Sequence, residues 1–169
     1  NGEIRGQVLQ AATAGFYAKM DGSQENPSNS STASGTVNVV LAPGGVVTYA
    51  LTVTGLSPSA AHFHNGVAGV NASVVKNFTL LNNTASGTWA SSDASQPLTD
   101  ALLRDLVRGK MYANAHTAAF PGGEIRGQVL PVPGIAFTAS ADGSQETPPV
   151  TTAARGTGIF VLNASGSQL

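Results

Sequence analysis

Every histidine in the chain falls in one of two short stretches. The first reads Ala60-Ala61-His62-Phe63-His64-Asn65-Gly66, and the second Met111-Tyr112-Ala113-Asn114-Ala115-His116-Thr117. Side chains alternate faces along a β-strand, so His62 and His64 project together and Phe63 projects the other way. Two imidazoles at i and i+2, joined by a third from another strand, make a three-nitrogen chelate for Cu(II), with Zn(II) as the alternative. The predicted metal ligands are therefore His62, His64 and His116. In the second stretch Met111, Ala113 and Ala115 share one face, and Tyr112, Asn114 and His116 share the other. If Phe63 and the Met-Ala-Ala row face a core, the histidines lie on the outer side. Tyr112 and Asn114 are then placed as an extra ligand, as supporting partners or as plain surface packing. The competing reading of the histidines is a set of hydrogen-bonded surface or edge residues.

Other chemistry is sparse. Glu124 and Arg126, also at i and i+2, suit either guidance of an anion or an ion pair with turn-stabilising hydrogen bonds, and the second fits the flanking glycines better. Glu25 and Glu146 lie in Gly-Ser-Gln-Glu loops, where a solvated carboxylate is the expectation and contact with a neighbouring unit or a cation the alternative. No Ser-His-Asp set, phosphate-binding glycine loop or pair of catalytic carboxylates stands out. No catalytic residue is assigned, and nothing compels an enzyme. The absence of cysteine excludes disulfides, thiolate metal sites and cysteine nucleophiles. Charged residues make up 10% of the chain and the net charge is -1, without a basic cluster, which excludes a nucleic-acid footprint. No apolar run approaches the roughly 18 residues of a membrane helix. Asn-x-Ser/Thr sequons occur at Asn29, Asn71, Asn77, Asn82 and Asn163.

The elements that must position the histidines read as short strands. Phe16–Met20, Gly35–Leu41, Val46–Thr54, Ser73–Leu80 and Ala85–Ala90 are expected strands beside the two histidine stretches. Val46–Thr54 alternates Val47, Tyr49, Leu51 and Val53 against polar or small residues, as a half-buried strand does. One helix is expected from an N-cap at Thr99 to Arg108, stopped by Gly109, and it should cap one end of a sandwich. The fold class is all-β, an antiparallel Greek-key sandwich with one short helix.

The chain also repeats itself. Gly2–Leu9 recurs as Gly123–Leu130, a shift of 121 residues (123 − 2), and Asp21–Glu25 recurs as Asp142–Glu146 at the same shift. A constant shift at both ends indicates tandem duplication. The complete unit is expected at 15–130, the last strand of a preceding unit at 1–9 and the first strands of a following unit at 134–169. The chain starts mid-motif, so further sequence is expected upstream. A linker from Pro131 to Gly134 is too short for free tumbling between units.

Three segments resemble the CHRD domain, the family named after chordin: Asp142–Val150, Ala61–His64, and Tyr112–Thr117 followed by Phe120–Gln128. The resemblance covers 15–130 and both flanks. It departs at Asn26-Pro27-Ser28, where the family's double proline is reduced to one. It implies an immunoglobulin-like sandwich similar in shape to copper,zinc superoxide dismutase, in an extracellular or cell-surface protein. The histidine pattern resembles the copper ligands of that enzyme, but a fourth histidine, a zinc set and the disulfide are missing. The growth-factor role of chordin-like proteins does not transfer, because the cysteine-rich modules that carry it are absent here. The expected function is an extracellular structural repeat module of an array or fibre with one metal site per unit. Its expected partners are neighbouring repeats and glycans. A copper-dependent redox enzyme with dismutase-like activity and a ligand-binding module are the alternatives.

Overall fold

The computed structural model describes residues 2, 4–10, 13–132 and 136–161. Runs rich in Val, Thr and aromatics become strands, because such side chains suit a pleated, half-buried surface. In chain order these are β1 (Val8–Gln10), β2 (Ala14–Asp21), β3 (Ser34–Ala42), β4 (Val46–Thr54), β5 (Ala60–Asn65) and β6 (Val74–Asn77). There follow β7 (Leu80–Leu81), β8 (Thr84–Trp89), β9 (Met111–His116), β10 (Ile125–Pro131), β11 (Ala136–Asp142) and β12 (Arg155–Val161). A short helix, α1 (Asp100–Val107), separates β8 from β9.

Strands β2 to β10 form one antiparallel sheet in the order β6-β5-β9-β10-β2-β3-β4-β8-β7. The sheet curls until its halves face each other. Tyr49 of β4 meets Phe63 of β5 edge to face at 5.6 Å, and Phe63 stacks with Trp89 of β8 at 6.0 Å. Those strands lie far apart in the sheet order, so the contacts require the layered arrangement of a sandwich, as expected. Between the layers Phe16, Met20, Leu51, Phe63, Trp89, Met111 and Ile125 are almost wholly enclosed. Burying each large apolar side chain contributes about 1.5–3 kcal/mol. Strand β4 alternates as read, with Val47, Tyr49, Leu51 and Val53 inward.

The helix begins where its cap stands. The Thr99 side chain accepts from the Leu102 amide at 3.3 Å, and Gly109 ends the helix at φ +67°. Leu106 is buried, and Leu102, Leu103 and Val107 pack against the core.

The expected strand Ser73–Leu80 is interrupted. Strand β6 stops at Asn77, and the next residue, Phe78, is buried, stacking on Tyr49 at 4.5 Å and meeting Phe63 at 4.6 Å. Its amide donates to Ala61 O at 3.0 Å, in register with the His62–Asn77 pair.

The flanking strands make their own sheet in the order β1-β11-β12. Its register copies the large sheet at the 121-residue shift: Leu9 faces Thr138 as Leu130 faces Tyr17. Of the expected linker, Pro131 ends β10, whereas Pro133 and Gly134 lie outside the described residues, as does the sequon at Asn163.

Candidate metal centre

Strands β5 and β9 are hydrogen-bonded neighbours, with Ala61 facing Ala115, His62 facing Asn114, Phe63 facing Ala113 and His64 facing Tyr112. Ala61, Phe63, Ala113 and Ala115 are buried in the core. The two-residue period of a strand then forces His62, His64, Tyr112, Asn114 and His116 onto the opposite face. All three histidines converge there. One ring nitrogen from each can be chosen so that all three lie within 4.8 Å of one another. The ring of His62 is centred 4.9 Å from that of His116 and 5.7 Å from that of His64.

The face is not the open surface the alternation suggests. The segment between β5 and β6 folds over it, so His64 is 7% exposed and Asn114 3%. His62 and His116 remain half-buried at the rim.

Backbone carbonyls orient two of the rings. His64 Nδ1–H donates to Ala72 O at 2.8 Å, and His116 Nδ1–H donates to Pro121 O at 3.0 Å. This leaves the Nε2 lone pair of each neutral ring for another partner, the arrangement that outer hydrogen bonds give metal-binding imidazoles. His62 Nδ1 is buried with no hydrogen-bond partner. An orphaned nitrogen beside two carbonyl-anchored imidazoles matches the donor set of a borderline divalent ion. Burial, then the neighbouring His116 and His64, push His62 down to about 4. Burial also lowers His64, outweighing its hydrogen bonds. Both rings are therefore neutral near pH 7, the form that coordinates metal.

Tyr112 lies against His64 with ring centroids 4.6 Å apart and planes 1° apart. On its other face the Arg126 guanidinium sits 3.4 Å from the ring centroid. Arg126 is 1% exposed and donates to Val67 O, Val70 O and Asn71 Oδ1. It thus fastens the covering segment whose Ala72 carbonyl orients His64.

Of the two arrangements expected for Glu124 and Arg126, an ion pair or turn-stabilising hydrogen bonds, the structure has the hydrogen bonds, each residue with partners of its own. Glu124 accepts from Ser31 Oγ at 2.7 Å and from Thr117 Oγ1 at 2.5 Å. Glu124 lies in the bend before β10, so the two-residue period that would set it beside Arg126 does not govern it, and its carboxylate is held by those two hydroxyls. The expectation of a solvated Glu25 fails. Glu25 is 8% exposed, its Oε1 is buried without a hydrogen-bond partner, and it packs against Gly123. A Cβ at Gly123 would collide with that carboxylate.

Burial raises Glu25 from 4.5 to about 7, against the opposing pull of Arg126. The folded state thus holds the proton more tightly than the unfolded chain. The stability this confers is full below pH 4.5 and lost as pH rises through 7. Glu25→Gln should remove the loss, so its stability relative to the unsubstituted protein rises across that window. Urea denaturation of both proteins at several pH values between 4 and 8 checks this.

The sequence signalled the three histidines through their spacing. It gave no sign of the Ala72 and Pro121 carbonyls, which any residue type supplies, or of the Arg126–Tyr112–His64 stack, which joins three strands.

The family model described as CHRD domain matches residues 16–129. No curated protein and no solved structure matches the chain.

Proposed function

The chain belongs to the CHRD domain family, and from that premise we propose an extracellular structural module that binds one divalent metal ion through His62, His64 and His116. The observation that carries the metal reading is the convergence of all three histidines, with one nitrogen left buried and unpartnered. Copper is favoured over zinc, because an imidazole-rich site follows the general affinity order that peaks at Cu(II). The bound ion would tie β5 to β9. It stabilises the fold by binding the folded state alone, about 2.7 kcal/mol when ion is a hundredfold above its Kd.

The array is part of the same proposal. The 121-residue repeat supports it, as does the β1-β11-β12 sheet with the register of β10-β2-β3. Neighbouring repeats are the proposed partners, and the low-charge, Ser-, Thr- and Asn-rich surface suits packing or glycan contact.

Metal analysis of protein purified without chelator tests the site. About one copper per chain is expected, with loss in the His62→Ala/His64→Ala double variant and a lower melting temperature after chelation. Metal-poor protein that takes up no added copper refutes it.

A redox role for copper is the second reading, favoured by the half-buried rim at His62 and His116 that leaves one side within reach of solvent. Copper-loaded protein without superoxide turnover excludes it.

A further inference from the structure

Asn114 occupies the point at which two of the imidazoles aim. Its Oδ1 lies 2.9 Å from His64 Nε2 and 3.0 Å from His116 Nε2. In its neutral form an imidazole carries one proton, and in both rings Nδ1 uses it on a backbone carbonyl, Ala72 O or Pro121 O. The two Nε2 atoms therefore offer lone pairs to an amide oxygen that is itself only an acceptor. Three lone-pair atoms at hydrogen-bond distance with no proton among them repel, and burial leaves little water to relieve them. Two arrangements remove the conflict without a second proton on either ring. The amide turns over and its two N–H groups donate, one to each Nε2, or a cation sits among the three acceptors.

We propose that Asn114 serves both arrangements in turn, as the clamp of the ion-free site and the fourth ligand of the loaded one. Without metal its amide bridges His64 and His116, holding the rings with their lone pairs converged. With metal its Oδ1 joins the nitrogens of His62, His64 and His116. This deepens the metal reading above and rests on it.

The donor set then has a defined chemistry. Three imidazoles and an amide oxygen are borderline to hard donors with no thiolate or thioether, so the site takes divalent Cu(II) or Zn(II) in preference to Cu(I). All four donors are neutral. Exchanging the amide for a carboxylate at constant size adds a negative charge at the ion, and that makes Asn114→Asp the informative variant.

Calorimetric titration of the full chain with Cu(II), and separately with Zn(II), tests the assignment. Asn114→Asp should bind about 10-fold tighter, and Asn114→Ala about 10- to 100-fold more weakly, both with one ion per chain. Visible absorption of the Co(II)-loaded proteins supplies a second readout, with a band shift expected in both variants. Melting curves in chelator establish that each variant is folded before it is titrated. If the unsubstituted chain binds one ion while both variants bind within about twofold of it with unshifted Co(II) bands, Asn114 is not a ligand and the histidine reading survives. If the unsubstituted chain binds no ion, the histidine reading fails and this assignment with it.

Discussion

Gly127→Ala is expected to cost about 3 kcal/mol or more and to take the metal centre with it. Gly127 sits in β10 between its two neighbours in the sheet, β9 and β2. A Cβ built there would overlap the Lys19 carbonyl oxygen and come within 2.8 Å of its carbon and 2.9 Å of Met20 Cγ. A flexible side chain could move aside, but the principal obstacle is backbone held in a ladder. Relief requires β10 and β2 to separate. That separation would disturb Arg126, one residue away, and with it the stack that backs His64. The shift in urea midpoint gives the loss, and a midpoint within error of the unsubstituted protein would show that the strands yield cheaply.

Arg126→Met is the second large effect. The methionine keeps much of the apolar stem and removes the charge from a site that is 1% exposed. It ends the stacking on Tyr112 and removes the guanidinium donor from Val67 O, Val70 O and Asn71 Oδ1, of which Val67 O keeps the Val70 amide. Val67, Val70 and Asn71 are exposed, so water can take the donor's place, and a total of about 1–3 kcal/mol is expected. The covering segment then loosens around Ala72, whose carbonyl orients His64. Metal affinity should fall about 10- to 100-fold, although Arg126 touches no ion. Arg126→Lys keeps a charge without the planar fork and should recover only part of either loss. Paired measurements of melting temperature and copper affinity decide it. Unchanged affinity in a destabilised Arg126→Met protein would confine the residue to folding.

Much of this was legible in residue order because strands have a simple period. Phe63 between two histidines, and the Met-Ala-Ala row beside His116, already place the candidate ligands on one face. Thr99 and Gly109 delimit the helix by local chemistry that needs no tertiary partner. What stayed illegible depends on contacts across the fold. Phe78, just past the end of β6, packs between Tyr49 and Phe63, aromatic partners from two other strands. Glu25 looks like a loop carboxylate until the Gly123 turn closes over it. Alternation predicted a solvent-facing histidine sheet, and only the loop between β5 and β6 turns that face into a buried site. A period says which side chains share a face, and says nothing of what later covers it.

Pulsed electron paramagnetic resonance of the Cu(II)-loaded chain tests the central claim most directly, because the remote ring nitrogens report how many imidazoles bind the ion. The account predicts three imidazoles in the unsubstituted protein and two in His116→Gln. A count of one or none, or a count unchanged in His116→Gln, would contradict it.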